Sequence, residues 1–241
     1  MTDYDLFAKH YDDMMGDRSS TVNFLKELIQ ENNKNPKTLL ELACGTGAVL
    51  EYFAKDFQVF WLDLSAGMLE VAKQRIPSGT FIQEDMTTFK FDQKFDVIFC
   101  VFDSINHLLA FSQWQNLFKS AHEHLNDWAL FIFDINTKAK LKKVTQAGAS
   151  VRRKENSLMI MDVTQETWSV TNRNIKVFER EKDDLYRLYE ENIKETAFSV
   201  QEIKVALKKY FISKTVNPTN SISWKKSGRV FFICKKKPTV S

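Results

Sequence analysis

The sequence contains no apolar run that approaches the roughly 20 residues of a membrane-spanning helix. Its N-terminus, MTDYDLFAKHYDDMM, is acidic and aromatic, whereas a signal peptide begins with basic residues and continues with an apolar stretch. The 44% apolar and 27% charged residues are typical of a globular protein. We therefore expect no membrane crossing and no export, and the sequence predicts a cytoplasmic protein.

Cysteine and net positive charge are also scarce. The three cysteines, Cys44, Cys100 and Cys234, are far apart and show no CxxC or Cys/His spacing, which predicts buried thiols rather than disulfides or metal ligands. The net charge is only +3, and part of it comes from the lysines at 235–237. This basic surface is too small to indicate a nucleic-acid partner.

Residues 35–134 alternate short apolar runs with amphipathic runs, the order that builds a parallel sheet covered by helices. The predicted strands are 38–44, 57–63, 80–83, 95–102 and 128–134, and the predicted helices are 48–55, 66–75 and 112–125. A helix at 200–210 and strands at 211–216 and 229–234 complete the pattern. The predicted fold class is α/β, with a Rossmann-like, seven-stranded, mostly parallel sheet that has helices on both faces.

The pattern changes between residues 138 and 198, a segment that we call the meander. Its residues alternate in twos over 157–169, 175–181 and 185–198, which predicts about three antiparallel strands. We therefore expect one domain formed by residues 1–137 and 199–241, with the meander inserted as a β-rich lid. An insertion that follows the fifth strand emerges at the sheet edge where ligands bind. A dimer interface is the alternative role for the meander.

The first predicted strand leads into ELACGTG at 41–47, and a helix is predicted to follow. Gly45 and Gly47 permit a sharp turn against which a cofactor can lie. Asp63 ends the second strand, where a carboxylate can accept the hydroxyls of a ribose. A dinucleotide-binding turn would have a third glycine at position 50, and the residue there is Leu50. The pattern therefore indicates a nucleotide-type cofactor other than NAD or FAD.

Five motifs in this order resemble class I methyltransferases that depend on S-adenosylmethionine (SAM). They are ELACGTG (41–47), DLSAGML (63–69), EDM (84–86), FDVIFCVFDSINHL (95–108) and FIFDINT (131–137). The resemblance extends over residues 1–137 and resumes at the last helix and strands, and it is greatest to small-molecule and amino-sugar N-methyltransferases. It implies SAM as cofactor and transfer of its methyl group to a small-molecule acceptor.

The same resemblance implies a set of cofactor contacts. Glu41, Ala43, Gly45 and Gly47 would surround the methionine and ribose parts of SAM, and Asp63 would hold the ribose hydroxyls. Leu64 and Met68 would flank the adenine, while Asp85 and the Met86 backbone would meet its edge. Phe102, after the fourth strand, is also assigned to the cofactor site. A methionine at helical spacing is as often a core residue, so core packing is an equal alternative for Met68.

The N-terminal segment resembles a helix that closes over SAM in this branch of the family. Phe7 and Tyr11 share one helix face, which suits either an aromatic wall beside the sulfonium cation or simple docking of the helix. We favour docking for Phe7 and assign Tyr11, whose hydroxyl could reach the cofactor carboxylate, to the cofactor and catalytic sites. Arg18 is expected to be a solvated surface residue.

The candidate catalytic residues are His107, Tyr11 and Asp134. His107 and Asp134 follow the fourth and fifth strands, at the carboxyl edge of the sheet, and His107 could act as a base or contact the acceptor. Asp134 and Asn136 could orient an amine or a hydroxyl, so N and O acceptors both stay open. Methyl transfer by in-line displacement mainly needs alignment and exclusion of water.

Two alternative functions stay open at the level of sequence. The chain could methylate RNA or protein, although it has no Asp/Asn-Pro-Pro-Tyr/Phe motif after the fourth strand. It could also bind SAM as a regulator without catalysis. The sequence predicts a monomer or a homodimer and does not identify the acceptor.

Overall fold

The computed structural model describes residues 4, 8–33, 35–183, 185–217 and 228–238; Phe7 lies outside them. The helices in this part of the chain are α1 (Ala8–Met15), α2 (Ser19–Asn32), α3 (Ala66–Arg75), α4 (Phe111–Glu123), α5 (Lys138–Thr145) and α6 (Val200–Leu207). The strands are β1 (Thr38–Leu42), β2 (Gln58–Asp63), β3 (Thr80–Gln83), β4 (Phe95–Cys100), β5 (Leu125–Asn136), β6 (Ser150–Lys154), β7 (Ser157–Gln165), β8 (Val170–Arg180), β9 (Tyr186–Thr196), β10 (Phe211–Val216) and β11 (Arg229–Lys236).

Seven strands form the main sheet, in the order β10-β11-β5-β4-β1-β2-β3. β1, β2, β3, β4 and β5 pair in parallel, while β11 runs antiparallel to both β5 and β10. Strands that are buried on both faces need near-continuous apolar sequence, which is why these strands are legible as apolar runs. The predicted seven-stranded, mostly parallel α/β sheet is confirmed.

Helices cover both faces of the main sheet. On one face, α4 contributes Trp114 and Phe118, and α6 contributes Ile203 and Leu207, to a core that reaches β4 and β5. On the other face, α2 and α3 pack against β1 and β2. All three cysteines are buried free thiols, as expected. In the described ranges, no helix has the length and apolarity required to span a bilayer.

The helix predicted at 48–55 is instead a short 3-10 turn, Leu50–Phe53. The first backbone hydrogen bond that an α-helix would form here is replaced by bonds to side chains. The Leu50 amide donates to Glu41 Oε2 at 3.2 Å, and the Thr46 carbonyl, its normal partner in an α-helix, accepts instead from Arg75 Nε at 3.1 Å. Side chains around the glycine turn thus override the helical spacing of this segment.

The meander contains four antiparallel strands, β6-β7-β8-β9, rather than the three predicted, and it begins with helix α5. β6 was missed because its five residues, SVRRK, are all exposed and show no alternation. Arginine and lysine suit an edge strand, since charge on an open edge discourages pairing with other chains. α5 buries only Leu141, so it also lacks an apolar face that a sequence pattern could reveal.

Candidate active site

A cavity of about 280 Å³ lies at the carboxyl edge of the main sheet, where parallel α/β sheets bind their ligands. All of the predicted site residues except Glu41, Gly47 and Asp134 line it. The described residues that line it are Tyr4, Tyr11, Ala43, Gly45, Leu62, Asp63, Leu64, Ser65, Met68, Glu84, Asp85, Met86, Phe102, Ser104, His107, Leu108 and Gln113.

Asp63 fastens the glycine turn to the start of α3. Its Oδ2 accepts from the Gly45 amide at 2.7 Å, and its Oδ1 accepts from the Ser65 amide at 2.8 Å. Gly45 has a φ of +56°, a left-handed conformation that favours glycine. A carboxylate has about four lone-pair sites, so Asp63 can hold the turn and still accept a ligand hydroxyl from the cavity.

Glu41 and Gly47 do not line the cavity but fix the conformation of the glycine turn. Glu41 is buried, holds the Leu50 amide, and has its pKa raised well above the usual value, chiefly by burial. At Gly47, where φ is +73°, a Cβ would lie 3.3 Å from the Ala72 Cβ on α3. This close approach of turn and helix requires glycine, so both residues act on the cavity through the backbone between them.

Apolar and acidic side chains both line the part of the cavity near Leu64, Met68 and Asp85. Leu64 is half exposed there, and Met68 is buried from solvent while it also lines the cavity, so core packing and a cofactor contact are compatible roles for it. Asp85 Oδ1 accepts from the Thr87 amide at 2.7 Å, which fixes the loop that carries Met86.

The charge of the cavity distinguishes between cofactors. Asp63, Glu84 and Asp85 line it, whereas no described lining residue is a lysine or an arginine. Tyr4, Tyr11 and Phe102 add aromatic surface. Carboxylates and aromatic faces attract cations, so the cavity suits a sulfonium and offers no cationic partner to a pyrophosphate.

Tyr4 and Tyr11 line one part of this cavity. Tyr11 Cε1 lies 3.6 Å from the position that a Cβ on Gly45 would take, and burial raises the pKa of the Tyr11 phenol, which is therefore protonated. Asp12 Oδ1 accepts from Thr46 Oγ1 and from Arg18, both at 2.7 Å, and Asp12 Oδ2 also pairs with Arg75. Arg18 is thus a buried partner of α1, and the prediction of a solvated surface arginine is wrong.

His107 lines the cavity beside a residue that the sequence did not reveal, Tyr4. His107 Nδ1 lies 3.1 Å from the Lys194 carbonyl, and its Nε2 lies 3.1 Å from the Tyr4 hydroxyl. Because a carbonyl can only accept, Nδ1 carries the proton and Nε2 accepts from Tyr4. Burial raises the pKa of Tyr4 well above its usual value, so the phenol keeps its proton for this bond.

Strained backbone marks the same edge of the sheet. Ala43, Phe102 and Asp103 have φ values of 52°, 60° and 54°, in the left-handed region that non-glycine residues rarely adopt. Each such residue costs on the order of 1–3 kcal/mol, and such strain concentrates at functional sites. We call Phe102 and Asp103 the 102–103 corner. Burial raises the pKa of Asp103, and the nearby Glu195 and Asp134 add to the shift.

Asp134, a predicted catalytic residue, does not reach the cavity. It is fully buried, and its Oδ2 accepts from the Asp103 amide at 3.1 Å and from Arg229 Nε at 2.6 Å. β5 continues past Asp134 to Asn136, so Asp134 lies within the paired sheet and not beyond its end. Asn136 Nδ2 donates to Asp103 Oδ2 at 2.6 Å.

Comparisons with known proteins agree with this geometry. Residues 39–127 match the model of a methyltransferase domain. A crystal structure of an S-adenosylmethionine-dependent methyltransferase from Clostridium acetobutylicum is 26% identical, with a TM-score of 0.86 over 98% of this chain and 99% of that one. The chain is a class I SAM-dependent methyltransferase. It is therefore an enzyme, and its cofactor is SAM.

One relative of this methyltransferase is an amino-sugar N,N-dimethyltransferase, and a solved amino pentose methyltransferase has the same fold. The dTDP-3-amino-3,4,6-trideoxy-α-D-glucopyranose N,N-dimethyltransferase of Streptomyces venezuelae is 31% identical over 132 residues, which are 54% of this chain and 54% of that protein. The SAM-bound amino pentose methyltransferase of Micromonospora echinaspora shares the fold, with a TM-score of 0.78 over 96% of this chain and 97% of that one, at 21% identity.

The methyltransferase cavity also contains residues that sequence reasoning did not single out. Leu62, Ser65 and Glu84 adjoin predicted residues in the motifs, and Ser104 and Leu108 flank His107 in the same way, so closer attention to the motif neighbours could have found them. Tyr4 and Gln113 come from the N-terminal segment and from α4. Nothing in the local pattern marks these two residues, because only the tertiary fold brings them to the cavity.

Proposed function

We propose that this methyltransferase transfers the methyl group of SAM to the amino group of a small-molecule acceptor, such as an amino sugar, by direct in-line displacement. The observation that carries the proposal is the excess of carboxylates around the site. Asp63, Glu84 and Asp85 line the cavity, and no described lining residue is a lysine or an arginine. Such a region attracts an amine more than a neutral hydroxyl. The N,N-dimethyltransferase named above supports this class of acceptor.

In this proposal, the predicted residues hold SAM in the arrangement that the resemblance implies. Asp63 binds the ribose hydroxyls, and Asp85 with the Met86 backbone meets the adenine edge, flanked by Leu64 and Met68. The turn from Glu41 to Gly47, including Ala43 and Gly45, surrounds the methionine and ribose parts. Tyr11 and Phe102 provide aromatic surface at the cavity wall. The carboxylates and aromatic rings of the cavity fit the charge of this cofactor.

SAM supplies a methyl group on a positively charged sulfur, which is a good leaving group. The protein orients the acceptor and keeps water away. The Tyr4–His107 pair stands at the acceptor side of the cavity in this proposal. The proton that the amine loses passes to the Tyr4 oxygen while the Tyr4 hydroxyl gives its own proton to His107 Nε2, which already accepts its hydrogen bond. Lys194 holds the ring through its carbonyl, which keeps the basic nitrogen on the side of Tyr4.

The meander, residues 138–198, acts as the acceptor lid in this proposal. Its inner face presents Met159, Met161 and Tyr189 to a cluster that also contains Tyr4 and Tyr11, so it lies over the acceptor side of the cavity. Two other large aromatic residues of the meander do not belong to this face. Trp168 is 91% exposed, and Phe178 lines a separate cavity at the β6–β7 hairpin. The opposite face of the meander is available for the alternative role, a dimer interface.

A small acceptor fits this arrangement better than RNA or protein. Tyr4, Tyr11 and the inner face of the meander pack over the cavity, which leaves space for a molecule of limited size. A macromolecular acceptor would need an open groove, and for RNA also a basic one. We also propose a cytoplasmic location for the reaction.

Release of S-adenosylhomocysteine (SAH) tests the proposal. Purified protein is incubated with SAM and matched acceptor pairs, each a nucleotide-linked amino sugar and its hydroxyl counterpart, with bulk RNA and a protein extract as further arms. We expect product with the amines alone, and His107→Gln should lower kcat while SAM still binds. Transfer to hydroxyl sugars only, or to RNA or protein only, would contradict the amine assignment.

A further inference from the structure

The 102–103 corner needs an external support, since two consecutive left-handed residues do not hold this conformation unless their surroundings impose it. That support comes from a fully buried carboxylate. Asp134 Oδ2 accepts from the Asp103 amide at 3.1 Å, so the residue that sequence reasoning assigned to catalysis holds the backbone of the corner.

The same oxygen of Asp134 also binds Arg229 on β11. Arg229 Nε donates to Oδ2 at 2.6 Å, and its guanidinium carbon lies 4.9 Å from the ring centroid of Phe102 and 4.9 Å from that of Phe231. Arg229 therefore lies against two aromatic rings, and one of them, Phe102, lines the cavity. Asp134 fixes the guanidinium, and the guanidinium packs on the ring.

We propose that Asp134 and Arg229 are positioning residues that hold the Phe102 ring at the cofactor and thereby set the preference of the enzyme for charged SAM over neutral SAH. The ring of Phe102 attracts the sulfonium through its π face, an interaction that SAH, a thioether, does not make. Neither Asp134 nor Arg229 lines the cavity, so both act through the corner and not on the ligand.

Titration of the full-length protein with SAM and, separately, with SAH tests this inference without any acceptor. Arg229→Gln removes the ion pair and the stacked guanidinium. We expect SAM affinity to fall about five- to tenfold while SAH affinity changes less than twofold, which corresponds to the loss of about one cation–π contact. Asp134→Asn should also lower the ratio of SAM affinity to SAH affinity, but by a smaller factor, because the side-chain oxygen of the asparagine can still accept from the Asp103 amide.

A cycle with Phe102→Leu distinguishes positioning from general structural support. If Arg229 acts through the ring, Arg229→Gln should not change the ratio of SAM affinity to SAH affinity (the SAM/SAH ratio) any further in a protein that already carries Phe102→Leu. The matched control is Asp96→Asn at the other end of β4, where Asp96 Oδ2 accepts the Lys37 amide at 2.8 Å. This control should lower stability and leave the SAM/SAH ratio unchanged.

Some outcomes would overturn the inference. Equal losses of SAM and SAH affinity in Arg229→Gln, or additive effects of Arg229→Gln and Phe102→Leu, would show that the pair supports the fold alone. If Arg229→Gln does not fold, Arg229→Lys, which keeps the charge without the planar group, serves in its place. It should lower the SAM/SAH ratio, and an unchanged ratio in this folded variant would equally contradict the proposal.

Discussion

The main sheet and the sheet of the meander are built by different physical means. In β4 the residues from Val97 to Cys100 are fully buried, with helices on both faces. In the meander, the buried apolar cluster consists of Met159, Ile175, Val177 and Ile193, all on one face, and β6 is exposed throughout. A sheet buried on two faces supplies most of its own stability, whereas a sheet buried on one face depends on what covers that face.

Polar contacts join the two sheets. Asn106 Nδ2, next to His107, donates to the Thr196 carbonyl on β9 at 2.7 Å. On α1, Lys9 pairs with Glu179 of β8 at 2.6 Å, while Asp12 binds the glycine turn through Thr46. Helix α1 therefore contacts the meander and the glycine turn of the main sheet. We infer that the two sheets have separate roles, a division of labour in which the main sheet binds the cofactor and the meander selects the acceptor.

The largest expected effect is a core substitution in the main sheet. Phe133 on β5 is fully buried and stacks on Phe232 of β11, with ring centroids 4.8 Å apart. Phe133→Ala should cost about 3–5 kcal/mol in the free energy of unfolding, measured by chemical denaturation, because it opens a cavity in a two-sided core. By contrast, Trp168→Ala in the meander should change it by less than about 0.5 kcal/mol, since that side chain is exposed. Similar losses in the free energy of unfolding at both positions would contradict the difference that we describe between the two sheets.

A smaller effect concerns the cofactor. Asp63→Ala removes a charge-assisted bond to the ribose worth about 1.5–3 kcal/mol, so SAM affinity in a calorimetric titration should fall more than tenfold. Glu155→Ala, an exposed carboxylate of the meander, is the matched control and should leave SAM affinity unchanged. If the Asp63→Ala protein folds and binds SAM with unchanged affinity, Asp63 does not bind the ribose and only supports the glycine turn.

The smallest effect is a difference in pH dependence between two glutamates. Burial raises the pKa of Glu41, so the folded state binds a proton that the unfolded state releases, and stability falls as pH rises above the ordinary glutamate pKa. Glu41→Gln should therefore raise the melting temperature at neutral pH. On the meander, the Asn174 side chain lowers the pKa of the exposed Glu190, so Glu190 stabilises above its ordinary pKa and loses this contribution as pH falls. Glu190→Gln should not raise the neutral-pH melting temperature; a rise there would contradict this account.

The sequence predicts the main sheet well because its strands are apolar runs and its glycine turn and Asp63 follow at fixed places. It predicts the meander less well, since β6 carries only exposed, mostly basic residues and leaves no alternation to detect. Asp134 illustrates the limit for the site. Its position at a strand end suggested catalysis, but only the pairing of β5 with β11 shows that Arg229 and the Asp103 amide occupy its carboxylate. Tyr4 was missed because long-range packing alone brings it to His107.

Amide hydrogen exchange with and without SAM tests the division of labour most directly. The account predicts that SAM slows exchange in the loops of the main sheet, at residues 43–47, 63–65 and 84–86, and leaves β8 and β9 largely unchanged until an acceptor is added. The Asp63→Ala protein should lose the protection by SAM. Protection by SAM alone that is strongest in β8 and β9, and weak at the glycine turn, would contradict the account.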